Sequence, residues 1–505
     1  MEQKTALLYV SDRTGIVEFA FELSRLGYAI VSAGATAKLL LPAEVVIEEV
    51  ENLADLPEPW DMRLKMAQPR LFAGLSMPAG AADLHIGLAA INLYPISEIA
   101  EKGYLSETEV MEYVDPGASA LLKAAARNFT QVISLCDPMD YEDTVSALSE
   151  FKDIHLKRRR ELAAKSFSHC SYHDATVAQY LAHDWTAFPE EWVIGLKKNQ
   201  DIKFGENPHQ KAALYRRTGE RPWGLPAAKL LQGSALSFNH YLDLETAWDL
   251  VSEQTDSACA LVKHASLVGA AAGYRLSENF RLAWESDPAN APGSLVAFNR
   301  EVDAETAKQI ADVYLECAVA PEFSQEAAEV LKLKKDLRLI TLPSSLIAAK
   351  EINIHPISGG LLVQEQNQHT LPVEIRAVTQ RTPTETEMHA LKFSWLIAKH
   401  TKSSAAVLSC GTRTIGIGSG QPSATEAIRI ALFKSRNRHP ILAPSDSLVL
   451  ASDGPLSMDC IVEAMHTGVQ AIIQPGGTSH DNHTVHVCNQ KGISMVFTGL
   501  RHFRH

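Results

Sequence analysis

The sequence predicts an α/β protein of more than one domain, opening on a parallel sheet. Three observations point there. The chain begins strand–helix–strand with short connections. Its 505 residues exceed what one ordinary core organises. Short apolar runs then alternate with helix-forming stretches to the C-terminus.

Ala6-Leu-Leu-Tyr-Val10 is an apolar run of strand length. Ile16, Phe19, Ala20 and Leu23 recur at helical spacing, and Gly27 suits the helix end. Tyr28-Ala-Ile-Val31 gives the next strand, and a short strand–helix–strand connection implies parallel pairing. Apolar runs at Ile86–Leu93 and Gln131–Leu135 add strands, and Ala118–Ala126 forms a helix. Lys157-Arg-Arg-Arg160 opens another helical stretch, and a boundary is expected near residue 195. Domains are therefore read as 1–195 and 196–505. Beyond the boundary, strands are expected at Ala258–Val262, Ser294–Phe298, Ala405–Leu408 and Ala471–Ile473. That length suits two subdomains, although residue identity alone shows no repeat.

Composition narrows the function classes. Hydrophobic residues make up 46% and charged residues 21%, as in globular proteins, and the formal charge is −13. A nucleic-acid grip needs a net basic surface, so none is expected. Seven dispersed cysteines contain no Cys-x-x-Cys pair and read as reduced thiols of a cytoplasmic protein. No signal core or membrane-length apolar stretch is seen.

Ser11-Asp-Arg-Thr-Gly15 and Ser32-Ala-Gly-Ala-Thr36 each join a strand to a helix. Small residues at a helix start expose backbone N–H groups and favour an anion. Ser11, Arg13, Thr14, Gly34 and Thr36 are thus candidate phosphate-binding residues, with helix capping by Thr14 and Thr36 as the competing explanation. Arg63 and Lys65 follow a polar loop, Tyr94 ends a strand, Asp115 precedes a helix, and Arg127 closes it.

The second part carries Phe204-Gly-Glu-Asn-Pro-His-Gln210, preceded by Lys203. Lys263-His264 ends an apolar strand, and such a pair can supply a cation and a general base. Neighbouring strand residues face opposite ways, so the two converge only if the strand stops there. Gly416-Ile-Gly-Ser-Gly420 lacks a dinucleotide fingerprint's third glycine spacing and reads as a tight turn with close backbone packing. The ending Arg501-His-Phe-Arg-His505 follows a β-type run and is expected to deliver cations and a carboxylate to one place.

In order, Val10–Gly15, Gly34–Thr36, Arg63-Leu-Lys65, Asn92-Leu-Tyr-Pro95, Asp115-Pro-Gly117 and Ala124–Asn128 resemble the inosine monophosphate (IMP) cyclohydrolase domain of the bifunctional purine-biosynthesis family. Lys263-His264, Ile357–Gln364, Thr384-Glu385, Lys399–Ser403, Ile415–Gln421, Ala451-Ser-Asp453, Gln474–Gly477 and Arg501–His505 are similar to its AICAR transformylase domain. The resemblance implies a methylglyoxal-synthase-like, Rossmann-like N-terminal domain. It implies a cytidine-deaminase-like C-terminal domain without the zinc site, and a homodimer with transformylase sites across the subunit interface.

The implied reactions are formyl transfer from 10-formyltetrahydrofolate to AICAR, then dehydrative closure of formyl-AICAR to IMP, with no metal. By resemblance, His264 takes the amine proton and Lys263 stabilises the oxyanion or helps the folate leave. Lys65, Tyr94 and Asp115 orient the amide and handle protons. Arg63, Arg127, Lys203, Asn207, His209, Ser404, Gln421, Asp453, Arg501 and His505 join the phosphate loops as substrate-binding residues.

The chain departs from the family pattern in places. Gln68 stands for a His, Ala35 for a Gly, and Arg127 for a Lys. Lys203-Phe204 replaces Arg-Tyr, Ser404 an Asn, and Pro455-Leu456 an aromatic pair. Ser266-Leu-Val-Gly269 and Asn290-Ala-Pro-Gly-Ser294 also differ. These departures leave two alternatives: a paralogue with one activity lost or redirected, and a lapsed enzyme kept for nucleotide binding or assembly.

Overall fold

The computed structural model describes residues 4–43, 45–53, 66–78, 83–182, 188–218, 224–343, 352–368, 375–438 and 447–505. Arg63 and Lys65 lie outside the described residues. The chain divides into two compact units, Met1–Asn199 with Tyr215–Arg221, and Gln200–Leu214 with Pro222–His505. Both are α/β, the class the sequence predicts.

The N-terminal unit is built on β1 (Lys4–Val10), β2 (Tyr28–Ser32), β3 (Ile47–Glu49), β4 (Ile86–Asn92) and β5 (Ile133–Leu135). Their order is β3-β2-β1-β4-β5, and every pairing is parallel. Side chains alternate across β1. Ala6, Leu8 and Val10 pack with Ile16, Phe19, Ala20 and Leu23 of helix Ile16–Arg25. Leu7 packs oppositely, with Leu121, Leu122 and Ala125 of helix Pro116–Arg127. Both faces are thus covered, which is why Ala6–Val10 of β1 and Ile86–Ile91 of β4 carry no polar–apolar alternation. The strand order reverses direction between β1 and β4, leaving a crevice at their carboxyl ends.

Hairpin β6 (Leu196–Ile202) and β7 (Ala212–Arg217) is shared between the units. The C-terminal unit contains β8 (Lys229–Gln232), β9 (Ser257–Lys263), β10 (Ser266–Gly273), β11 (Ser294–Phe298), β12 (Leu315–Ala320) and β13 (Arg338–Thr341). After the exposed hairpin β14 (Ile352–Ile357) and β15 (Gly360–Glu365) come β16 (Arg376–Ala377), β17 (Ala406–Cys410), β18 (Arg413–Gly418), β19 (Leu448–Ser452), β20 (Val469–Gln474) and β21 (Ser494–Phe497). Twelve of these strands form one mixed sheet ordered β16-β21-β20-β19-β17-β18-β10-β9-β11-β12-β13-β8.

That order exposes a duplication. From the centre outward, β10-β9-β11-β12-β13-β8 mirrors β18-β17-β19-β20-β21-β16. In each half a capped helix of fifteen residues, Phe238–Ser252 or Glu385–Lys399, precedes an antiparallel hairpin. Three further helices then alternate with parallel strands. The two long helices share one core on one sheet face. The remaining helices cover the other face as two separate cores, one per half. Residue identity conceals this repeat because the topology is duplicated without a matching sequence motif.

The halves meet at the β10–β18 pairing. Thr414 Oγ1 accepts from Ala270 N–H at 2.9 Å and donates to Ala270 O at 3.1 Å. Gly416 and Gly418 lie in β18, against helix Ala424–Arg438. A Cβ on Gly418 would lie 1.8 Å from Ala427 O, and one on Gly416 2.1 Å from Ala431 O. Gly420 turns the chain at φ +67. The glycine run is a packing and turn element, as its spacing indicates.

Gly418→Ala is therefore expected to destabilise the C-terminal unit by about 1–3 kcal/mol, the usual cost of overpacking. Denaturant melting of wild type and variant checks this, and an unchanged midpoint contradicts it.

Candidate functional site

In the N-terminal unit a small cleft opens at the β1–β4 crevice. Tyr9, Ser11, Thr36, Asn92, Tyr94 and Asp115 line it. Asn92, the last residue of β4, organises the first loop. Its Oδ1 accepts from Ser11 N–H at 2.7 Å, Ser11 Oγ–H at 2.9 Å and Asp12 N–H at 2.8 Å. Its amide donates to Asp12 O at 3.1 Å. One buried amide thus fixes both ends of Ser11-Asp12, ahead of the helix that starts after Gly15.

Capping does not account for these loops. Thr14 bonds Asp12 through both its N–H and its hydroxyl. Neither helix Ile16–Arg25 nor helix Gly34–Leu40 receives a side-chain cap. Ile16 N–H turns back to Arg13 O at 3.3 Å, and the other first-turn N–H groups are left for another acceptor. The Thr36 hydroxyl is committed elsewhere: it accepts from Val10 N–H at 3.0 Å and donates to Val10 O at 3.1 Å. Any contribution of Thr36 to an anion comes from its backbone, beside Gly34, which turns at φ +60. Arg13 is exposed above the loop.

Asp115 is almost wholly buried. Its Oδ1 caps helix Pro116–Arg127 by accepting Ala118 N–H at 2.9 Å, and its Oδ2 accepts the Tyr9 hydroxyl at 2.8 Å. Tyr94 is half-buried and packs edge-on against Tyr113, ring centroids 5.5 Å apart. The cleft therefore combines a fixed carboxylate, two phenols and two uncapped helix starts. Arg127 does not join them. It is exposed at the other end of Asp115's helix, about 18 Å away at 1.5 Å rise per residue.

Behind the cleft, His169 Nε2 accepts Leu93 N–H at 3.1 Å, fixing the residue before Tyr94. Burial, then the neighbouring His173 and Lys197, push His169 down to about 4. Sequence reasoning missed Tyr9 and His169. Tyr9 looks like strand filling, and His169 sits within a long polar helix.

In the C-terminal unit β9 ends at Lys263, and His264 and Ala265 form the hairpin turn. Both have left-handed backbones, φ 56 and φ 51. This turn resolves the alternation problem, because His264 leaves the strand direction. A left-handed conformation costs a side-chain-bearing residue roughly 1–2 kcal/mol. Asp243, from helix Phe238–Ser252, accepts Ala265 N–H at 2.5 Å. Lys263 Nζ donates to Pro292 O at 2.9 Å, and His264 is exposed.

The Lys203–Gln210 loop closes on itself. Gln210 Oε1 accepts from Asn207 N–H and Asn207 Nδ2, both at 2.9 Å. Lys203 lies over the Phe204 ring, 5.9 Å from its centroid. Asn207 and His209 are exposed, and Asn239 donates to Glu206 O at 3.4 Å.

The C-terminal tail docks instead of gathering all its cations. His502 is buried against Trp395, rings 4.9 Å apart, and pairs with Asn367 at 2.8 Å. Arg504 turns inward, 3.9 Å from Asp249. Arg501 and His505 face outward with Phe503. Asp453 is buried; its oxygens accept Ser403 Oγ–H at 2.5 Å and Ala405 N–H at 2.9 Å. Ser403 also accepts Arg504 N–H at 2.9 Å. Ser404 N–H donates to Gln421 O at 2.9 Å. Ser404, Gln421, Asp453 and the tail thus form one cluster, in which Asp453 holds protein groups.

Beside this cluster Lys399 Nζ contacts both oxygens of Glu253, at 2.8 and 2.7 Å. Burial alone would raise the Glu253 carboxyl, but His400 and Lys399 outweigh it and hold it at about 2. His400 is itself pushed down by burial.

Residues 125–434 match the family described as the AICARFT/IMPCHase bienzyme. The chain is 37% identical to the bifunctional purine biosynthesis protein PurH of Anoxybacillus flavithermus, over 100% of each. It is 37% identical to that of Bacillus subtilis, again over 100% of each. With Persephonella marina the identity is 37%, over 99% of this chain and 100% of the relative. The crystal structure of ForH is 30% identical over 35% of this chain and 98% of its own, at a TM-score of 0.31.

The histidine behind the cleft gives a pH prediction. An unfolded histidine takes its proton near 6.5, whereas folded His169 does so at about 4. A depressed value means its stability contribution is present above about pH 6.5 and is lost as pH falls toward 4. Melting temperature of the N-terminal unit is expected to drop across that window. His169→Gln, which keeps an acceptor for Leu93 N–H, is expected to flatten the drop; an identical slope assigns it to other groups.

Proposed function

Because the chain belongs to the AICARFT/IMPCHase bienzyme family, we propose that its N-terminal cleft closes the ring and its Lys263–His264 turn serves formyl transfer. The protein is a phosphoribosylaminoimidazolecarboxamide formyltransferase and IMP cyclohydrolase of purine biosynthesis. The assignment of residues is carried by one observation above others. Ser11, Thr36, Tyr94 and Asp115, drawn from four separate segments, line one cleft at the sheet's switch point.

In formyl transfer the AICAR amine attacks the formyl carbon of 10-formyltetrahydrofolate. His264 takes the amine proton, and Lys263 neutralises the oxyanion or assists departure of the folate nitrogen. Collapse expels tetrahydrofolate. The exposure of His264 and the fixed position of Lys263 support these roles. Lys203, Asn207, His209, Ser404, Gln421, Arg501 and His505 bind the nucleotide and the folate. Asp453 acts through the Ser403–Ala405 segment it holds.

In ring closure the carboxamide nitrogen attacks the formyl carbon and water leaves. Asp115 accepts the amide proton. The departing oxygen takes up two protons in all, one from the carboxamide and one from the formamide N–H, passed through Tyr94, and leaves as water. Lys65 and Arg63 orient the substrate. The Ser11–Thr14 and Gly34–Thr36 loops take the phosphate on their helix starts. Arg127 contributes long-range positive charge. Neither step needs a metal.

The cyclohydrolase domain is read as residues 1–195, methylglyoxal-synthase-like, and the transformylase domain as 196–505, deaminase-like. The five-stranded parallel sheet and the duplicated mixed sheet support that reading. We take the protein as a cytoplasmic homodimer with formyl-transfer sites completed across the interface. Exposure of Lys203, Asn207, His209, His264, Arg501 and His505 in one chain supports it. Among the described residues no helix is long and apolar enough to cross a membrane.

His264→Ala is expected to lower formyl transfer about 10²–10⁴-fold, the range for a lost general base, while the purified variant still closes formyl-AICAR. Asp115→Asn is expected to do the converse. Formyl transfer undiminished in His264→Ala overturns the first assignment, and ring closure undiminished in Asp115→Asn overturns the second.

A further inference from the structure

We infer that Asp243 is a positioning residue for formyl transfer, holding the His264–Ala265 turn in the left-handed conformation that presents His264. The inference rests on the reading that His264 is the proton acceptor.

Two-residue hairpin turns with both backbones left-handed normally use Asn, Asp or Gly. This turn uses His264 and Ala265 instead, at φ 56 and φ 51. The compensating interaction is visible. The Asp243 carboxylate accepts the Ala265 N–H at 2.5 Å, inside the turn. Asp243 comes from a regular helix opened by a complete Ser237–His240 capping box, so the acceptor is rigidly placed.

The duplicated half supplies an internal control. There the matching hairpin, β17–β18, turns at Gly411-Thr412, and Gly411 has φ 56. Counted from the two capped helix starts, the residue matching Asp243 is Ala390, which is buried in the core. The half without a carboxylate uses glycine at this turn. The half with the Lys–His pair uses a histidine and adds the carboxylate. Asn239, one turn earlier on the same helix, holds the loop carrying Asn207 and His209 through Glu206 O. The helix therefore sets His264 and that loop relative to each other.

The test measures kcat and KM of formyl transfer for His264→Ala, Asp243→Ala, Asp243→Asn and the double variant Asp243→Ala/Ala265→Gly. Asp243→Ala is expected to lower kcat about 10²-fold, the scale of a small misplacement of a reacting group, with KM for AICAR little changed. Asp243→Asn keeps a neutral acceptor, roughly half as strong as a charged one, and is expected to stay within about tenfold of wild type. Glycine at 265 removes part of the strain and is expected to recover kcat in the Asp243→Ala background. Wild-type kcat in Asp243→Ala, an effect confined to KM, or failure of both Asp243→Asn and Ala265→Gly to recover activity overturns the inference. Should Asp243→Ala not fold, the Asn variant and the double variant decide alone. Full activity in His264→Ala instead overturns the underlying assignment, a result distinguishable from all of these.

Discussion

A carboxylate on helix Phe238–Ser252 accepts the Ala265 N–H of a hairpin turn whose two residues, His264 and Ala265, are both left-handed. The geometry of the C-terminal unit is arranged around that helix. Asn239, Asp243, Asp249 and the capping residue Glu253 fall within about 120° of one another around its axis. In that order they meet the Phe204–Gln210 loop, the His264–Ala265 turn, Arg504 of the tail, and Lys399. Segments far apart in sequence are thereby registered along about 21 Å of one rigid rod. Hydrogen bonds to a charged acceptor contribute about 1.5–3 kcal/mol each. One such bond, to Ala265 N–H, offsets a large part of the strain of a turn whose two residues each cost roughly 1–2 kcal/mol.

The duplication explains how such a site arises on a symmetric scaffold. The same sheet order and the same capped helix occur twice, yet the two hairpin turns differ chemically. A second pair of equivalent positions makes the same point. Asn299 follows β11 and accepts Ala258 N–H at 2.7 Å, at the start of the first hairpin. Asp453 follows β19 and accepts Ala405 N–H at 2.9 Å, at the start of the second. Both staple a hairpin to the neighbouring strand. The carboxylate takes Ser403 as well, and through it the tail. Asp453 thus serves the tail's position first, and any ligand through that position.

Much of the fold was legible in the sequence. β1, β2 and the helix between them follow from apolar runs and a 3.6-residue period, because both faces of the sheet are buried. The glycine run at 416–420 was legible as packing, since its spacing fits no phosphate loop. The tail was legible as ordered, but its split into inward His502 and Arg504 and outward Arg501 and His505 depends on partners distant in sequence. Strand periodicity located Lys263-His264 but carries no information on a left-handed turn. Asp243 was illegible for the same reason: in a helix of mixed pattern, one acid looks like surface. Arg127 shows the opposite limit. Motif order groups it with Asp115, while twelve residues of straight helix carry it away.

The claim that Asp243 clamps the turn is tested most directly by amide hydrogen exchange in the unmodified protein. His264 and Ala265 sit at an exposed hairpin tip, where uncompensated N–H groups exchange rapidly. The account predicts that the Ala265 amide is protected at neutral pH, on the scale of neighbouring β9 amides. Exchange of the Ala265 amide at the rate of a solvent-exposed turn would contradict it.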